Sequence, residues 1–144
     1  MIRRIVYATD FSKASQRAFT KALELAKANR AALQVVHVMS PVVPMTGDGY
    51  ITPSTFEALE RSGRAWAQKQ MGRLLDKARS ARVKVDGKLL EGLAHEQIVR
   101  AARGADLLVL GTHGRTGIAR FFLGSVAGRV AATAKVPVLT VRGG

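Results

Sequence analysis

The apolar run Leu107-Leu108-Val109-Leu110 stops at Gly111. The chain then reads Gly111-Thr112-His113-Gly114-Arg115-Thr116-Gly117 before a helix-like pattern opens at Gly124-Ser125-Val126. A buried strand, a glycine loop and a helix start follow one another. Glycine has no Cβ, so such a loop turns tightly and presents bare backbone N–H groups, while the start of a helix attracts negative charge. Together they favour a phosphate. The competing reading is a plain turn ahead of the next helix.

The remainder of the chain places that loop. Ile2 to Ala8 is β-branched and apolar, as a buried strand requires. Asp10-Phe11-Ser12 breaks it, and Ser12 is a suitable N-cap for a helix reaching about Asn29, with Ala14, Ala18, Ala22, Leu25 and Ala26 at helical spacing. Ala32 to Val38 reads as a second strand. From Ser40 to Pro53, three prolines and two glycines predict an irregular surface loop. A long helix follows to about Ala81, its stripe of Phe56, Leu59, Trp66, Met71, Leu74 and Ala78 assigning Trp66 to the core. Val83 to Leu90 forms a third strand, and Ile98, Ala101 and Ala102 mark a helix ending near Gly104. After the fourth strand and the glycine loop, Val126, Val130 and Ala134 line a last helix, and Pro137 to Val141 closes the chain as a strand.

The order βαβαβαβαβ predicts an α/β fold, one open parallel sheet with helices on both faces. Ligands of such sheets sit beyond the C-terminal strand ends, where the strand order reverses. Thr9-Asp10 after the first strand and the glycine loop after the fourth are in such places. If those two strands are neighbours, a pocket lies between them.

At 144 residues the chain fits one domain over 1–144, and 47% hydrophobic residues with 23% charged ones are those of a soluble globular protein. No apolar run reaches the roughly 20 residues of a membrane helix, and the N-terminus has no leader-like h-region, so a cytoplasmic location is expected. The absence of cysteine excludes disulfides, Cys-ligated zinc and thiol catalysis. His37, His95 and His113 have no metal-ligand spacing. The unusual quantity is the net charge of +13, from 23 Lys and Arg against 10 Asp and Glu. Much of it lies between Arg61 and Lys88. That excess makes nonspecific contact with polyanions plausible, but the aromatic platforms and motifs of sequence-specific nucleic-acid modules are missing.

Gly111-x-x-Gly114, nine residues and then Gly124-Ser125 resemble the nucleotide-binding signature of the universal stress protein family. So do Ile5 to Ser12, the Val36-His37-Val38 strand end and Val136 to Val141, and the likeness covers the whole chain. The resemblance implies a Rossmann-like sheet of strand order 3-2-1-4-5, and ATP, with or without Mg2+, as ligand. It also implies roles: Asp10 approaches the ribose beside Ala8 and Thr9, the backbone at Val38 meets the adenine, and the loop amides, Gly111, Gly114, Gly124 and Ser125 cradle the phosphates. Leu110 and Val126 match positions that flank the nucleotide. Ala8 departs from the proline of many nucleotide-binding members.

Other readings of these residues stay open. Asp10 could instead hold its own loop, and Ser125 could be an N-cap. His113 reads as an exposed loop side chain rather than a catalytic base, and Arg115 and Arg120 reach either phosphates or solvent. With no G-x-x-x-x-G-K-[ST] run and no carboxylate pair to hold a metal and position water, weak hydrolysis at most is expected. Two functions follow: a regulatory ATP-binding module in stress response, or a homodimeric scaffold of the same fold that leaves the nucleotide unused. In either, the resemblance implies homodimerisation through the last strand, where Val138, Leu139 and Val141 are apolar.

Overall fold

The chain alternates strands and helices as the sequence requires. In the computed structural model, which describes residues 1–40, 51–113 and 124–143, the strands are β1 (Arg4–Ala8), β2 (Ala32–Met39), β3 (Val85–Glu91), β4 (Leu107–Gly111) and β5 (Val138–Val141). The helices are α1 (Gln16–Asn29), preceded by a 3₁₀ turn at Lys13–Ser15, α2 (Pro53–Ser80), α3 (Ala94–Ala101) and α4 (Ser125–Thr133). All five strands pair in parallel, in the order β3-β2-β1-β4-β5. The sheet is therefore the parallel one the sequence predicts, in the order the family resemblance implies, with β1 and β4 adjacent.

Strand residues point alternately to opposite faces, and the core divides accordingly. Ile5, Tyr7, Leu33, Val35 and Val109 pack with Ala18, Phe19, Ala22 and Ala26 of α1 and with Met71 and Ala78 of α2. Val6, Ala8, Val36, Leu108 and Leu110 pack on the other side with Ile98 of α3 and with Ala127 and Val130 of α4. Both faces of the sheet are covered. Removing an Ile, Leu or Val side chain from water contributes about 1.5–3 kcal/mol, and Ile5, Val6, Leu33, Val35, Val36, Leu108 and Val109 are all fully buried.

Local chemistry sets the element ends. Ser12 caps the 3₁₀ turn by accepting from the Ser15 N–H. Arg30, in the left-handed region at φ 54°, ends α1 in the position that glycine usually takes, and the next amide, Ala31 N–H, reaches back to the Ala26 carbonyl. At the N-terminal end of the sheet, the Asp106 carboxylate accepts the Arg3 and Arg4 N–H groups at 2.8 and 3.0 Å. Those two bonds hold its pKa below the usual carboxylate value.

Four expectations need correction. β1 begins at Arg4 rather than Ile2, and β3 at Val85 rather than Val83. Pro53, expected to exclude regular structure, stands in the first turn of α2 behind an N-cap at Thr52, because a proline there gives up only an N–H that would have no helical partner. Trp66, expected in the core, is 41% exposed. The buried positions of α2 are Ala67, Met71 and Ala78, so its N-terminal half runs past the end of the packed sheet.

Candidate functional site

Five chain segments converge at the C-terminal ends of β1, β2 and β4. With Ser15 of the 3₁₀ turn they line a cavity of about 480 Å³: Ala8, Thr9 and Asp10 at the end of β1 and just after it, Val36, Val38 and Ser40 at the end of β2 and just after it, Leu110 to His113 at the end of β4 and just after it, Ala94 and Ile98 of α3, and Gly124 to Ala127 at the start of α4. Its size is that of a small-molecule site. The sequence-derived residues Ala8, Thr9, Asp10, Val38, Leu110, Gly111, Gly124, Ser125 and Val126 all lie on this one wall system. Gly114 and Arg115 lie outside the described residues, as do Thr116, Gly117, Arg120 and most of the Ser40 to Pro53 segment.

The loop after β1 is fixed by its own side chains. The Thr9 N–H donates to the Val36 carbonyl at 3.0 Å, and Thr9 Oγ1 accepts the Phe11 N–H at 2.9 Å. Ser15 Oγ donates to the Ser12 carbonyl at 2.8 Å, which leaves the Thr9 hydroxyl to donate across the 3.0 Å gap to Ser15 Oγ. Asp10 Oδ1 accepts the Ser12 N–H at 2.9 Å. One oxygen of Asp10 therefore holds the loop, the local role left open above, while the residue lines the cavity. Phe11 sits in the left-handed region at φ 63°, a conformation that costs a non-glycine residue about 1–3 kcal/mol.

Beneath this loop, His37 Nδ1 lies 2.7 Å from the Thr9 carbonyl oxygen. A carbonyl only accepts, so Nδ1 carries the proton. The imidazole packs against Phe11 with ring centroids 4.3 Å apart, and Trp66 meets Phe11 edge-on at 5.6 Å. Tyr7 donates its hydroxyl to the Ser15 carbonyl at 2.8 Å, and burial raises its pKa above the usual phenol value.

At the other wall, the two described signature glycines differ. A Cβ on Gly124 would stand 2.9 Å from the Thr112 carbonyl oxygen, whereas one on Gly111 would meet its nearest neighbours at 3.5 Å, an ordinary contact. Neither has a positive φ; the described glycines that do are Gly92 and Gly104. What Gly124 provides is close approach, sealed by its N–H donating to the Thr112 carbonyl at 2.7 Å. It is also the N-cap of α4, with Ser125 as the first helical residue, so the expected N-cap shifts by one position. Ser125 is exposed. His113, read from the sequence as exposed, is half-buried, lines the cavity and has Nδ1 2.8 Å from Thr112 Oγ1.

Among the described residues, Asp10 is the one carboxylate on the cavity wall, and no group of three His, Cys, Asp or Glu residues is placed to hold a metal. These residues do not form a cage for Mg2+. Nor is any helix among the described residues long and apolar enough to cross a membrane. Ala94, Ile98 and Thr112 line the cavity without having been singled out from the sequence. Ile98 reads there only as a helix-face residue, and its place in the wall depends on where α3 crosses the sheet.

The sheet order, the helices on both faces and the cavity where β1 and β4 diverge define an open, doubly wound α/β protein with a binding-site-like cleft at its switch point. The chain belongs to the universal stress protein family, whose model matches residues 1–142. Similar relatives include a universal stress protein of Thermus aquaticus, 35% identical over 99% of this chain and 100% of its own, and one of Methanocaldococcus jannaschii, 34% identical over 99% of this chain and 83% of its own. Among solved structures, a universal stress protein in complex with cAMP superposes with a TM-score of 0.73 at 28% identity, covering 98% of this chain and 97% of that one.

Proposed function

We propose that this chain is an ATP-binding regulatory module of the stress response, working in the cytoplasm, with slow hydrolysis at most. The observation that carries the reading is the convergence of the Asp10 loop, the Val38 strand end and the start of α4 on one cavity. A helix start offers unpaired N–H groups and a positive dipole end to phosphate. Ser125, exposed at the first position of that helix, adds a hydroxyl. Asp10, held to Ser12 through Oδ1, stands on the cavity wall as a carboxylate of the kind that accepts a ribose hydroxyl. Val36, Val38, Leu110 and Ile98 offer an apolar bed for the base, beside the Val38 backbone. The cAMP complex of the 28% identical relative supports an adenine nucleotide as the occupant.

Hydrolysis needs a positioned water and stabilisation of the charge on the transferred phosphoryl group. The described cavity wall supplies one carboxylate, and that carboxylate already holds a loop. A switch is the better use of such a site: the nucleotide favours one state of the loop between β4 and α4, and a partner reads that state. We place Gly114 and Arg115 in this loop on the phosphate side, by resemblance.

Isothermal titration of the purified chain with ATP tests the reading. Saturable one-site binding, weakened in both Asp10→Ala and Ser125→Ala, is expected. Absence of binding by the wild-type chain overturns it in favour of the homodimeric scaffold.

A further inference from the structure

The nucleotide reading leaves the net charge of +13 unexplained. Between positions 61 and 84, eight Lys and Arg residues stand against one carboxylate, and all eight are exposed. Asp76 pairs with Arg79 at 3.7 Å, and Arg64 pairs with Glu91 across to β3. Among the described residues, Arg61, Lys69, Arg73, Lys77, Arg82 and Lys84 form no ion pair. Lys69, Arg73 and Lys77 recur every fourth residue of α2, so they form one ridge, with Arg61 two steps before it on the same line. Three such residues span about 12 Å, over which one strand of a duplex presents about three to four phosphates.

Cations near a helix C-terminus are commonly explained by the helix dipole. That explanation suits Lys77 and Arg79, which lie in the last turn, and fails for Lys69 and Arg73, which lie earlier. Like charges at four-residue spacing repel, so the ridge lowers the stability of the helix that carries it. A membrane-surface helix would add large apolar side chains beside its cations. The exposed large apolar residues of the described chain are Met1, Leu59, Trp66, Leu93 and Val126, and none lies between 67 and 84.

We infer that the C-terminal half of α2 and the turn after it form a docking face for the phosphate backbone of duplex nucleic acid, bound without reading its sequence. The chemistry is that of counterion release: each cation seated on a phosphate frees condensed ions, and no aromatic platform is needed. This face lies on the α1–α2 side of the sheet, and it does not rest on the nucleotide reading.

The test is fluorescence anisotropy with a labelled mixed-sequence DNA duplex across a salt series. One variant combines Lys69→Gln, Arg73→Gln and Lys77→Gln. Its control combines Arg100→Gln, Arg103→Gln and Lys135→Gln, which removes the same charge from exposed positions outside the ridge. The slope of log K against log salt should fall by about 2.7 for the ridge variant, about 0.9 per phosphate contact, and stay near the wild-type value for the control. Thermal unfolding of both variants checks that they are folded. Equal loss in the two variants assigns the effect to net charge alone and overturns the inference. So does absence of wild-type binding at about 50 mM salt, the low end of the range where phosphate contacts are strong, or binding confined to anionic lipid vesicles.

Discussion

His37 and Thr9 are joined beneath the loop that follows β1, with imidazole Nδ1 2.7 Å from the Thr9 carbonyl oxygen and both residues buried. The bond ties β2 to the turn that carries Asp10. In His37→Leu the carbonyl keeps its burial and loses its donor, a change that costs about 1–3 kcal/mol. His37→Asn retains an N–H donor on a shorter side chain and should lose less. Urea unfolding of the two variants measures the difference; equal losses would mean that ring packing, not the hydrogen bond, is what matters.

The two signature glycines should separate on substitution. Gly111→Ala places its methyl at ordinary contact distance and should fold with near-wild-type stability. Gly124→Ala drives a methyl to 2.9 Å from a backbone oxygen that has no rotamer to escape into. Overpacking of this kind costs about 1–3 kcal/mol, read as a lower urea midpoint at unchanged slope.

Ser125→Ala tests binding apart from folding. Ser125 is exposed at the first position of α4, so stability should stay within about 0.5 kcal/mol. If the hydroxyl meets a phosphate, ATP affinity falls about fivefold, or about 1 kcal/mol. Urea unfolding reads the first number and titration calorimetry the second, and unchanged affinity would remove Ser125 from the site.

Homodimerisation through β5 has a backbone test. The Leu108 and Thr112 N–H groups donate to the Pro137 and Val141 carbonyls at 2.9 and 3.0 Å, so alternate residues of β5 face β4 and the N–H of Thr140 points to the open edge. Thr140→Pro removes an outward donor while sparing the ladder to β4. Sedimentation velocity should show a dimer for the wild-type chain and a monomer for the variant. A monomeric wild type at micromolar concentration ends the proposal.

Asp106 gives a pH signature. Its folded-state pKa is depressed by the Arg3 and Arg4 N–H groups, so its stabilising effect is present above the unfolded carboxylate value of about 3.9 and is lost as pH falls through the lower folded value. Asp106→Asn keeps an acceptor and removes the charge. The gap in Tm between the two proteins should be widest near neutral pH and should close as the solution is made more acidic than pH ~4. A gap independent of pH would contradict the assignment.

The strands were legible because their apolar runs are short and nearly unbroken: with Ile5 and Tyr7 on one face and Val6 and Ala8 on the other, such a run needs a sheet buried on both faces. The site was legible to the extent that it is built from strand ends and a helix start, which punctuation by Asp10, Gly111 and Gly124 marks. Trp66 was misread because helical periodicity says which side of α2 faces inward, not how far the sheet extends beneath it. Ala94 and Ile98 went unnoticed because their part in the wall depends on the crossing of α3, a tertiary fact with no local signature. At Gly124 the structure adds a reason that the sequence does not carry: a Cβ there would crowd the Thr112 carbonyl.

Val36 and Val38 look into the cleft while His37, between them, looks the other way toward Phe11 and the chain's single tryptophan. The edge-on stacking of Trp66 on Phe11, one residue after Asp10, turns the indole into an optical probe on the reverse side of the wall. Occupancy of the cleft that shifts the Asp10 turn will change the emission of Trp66, so the protein carries its own fluorescent reporter, with no label to attach.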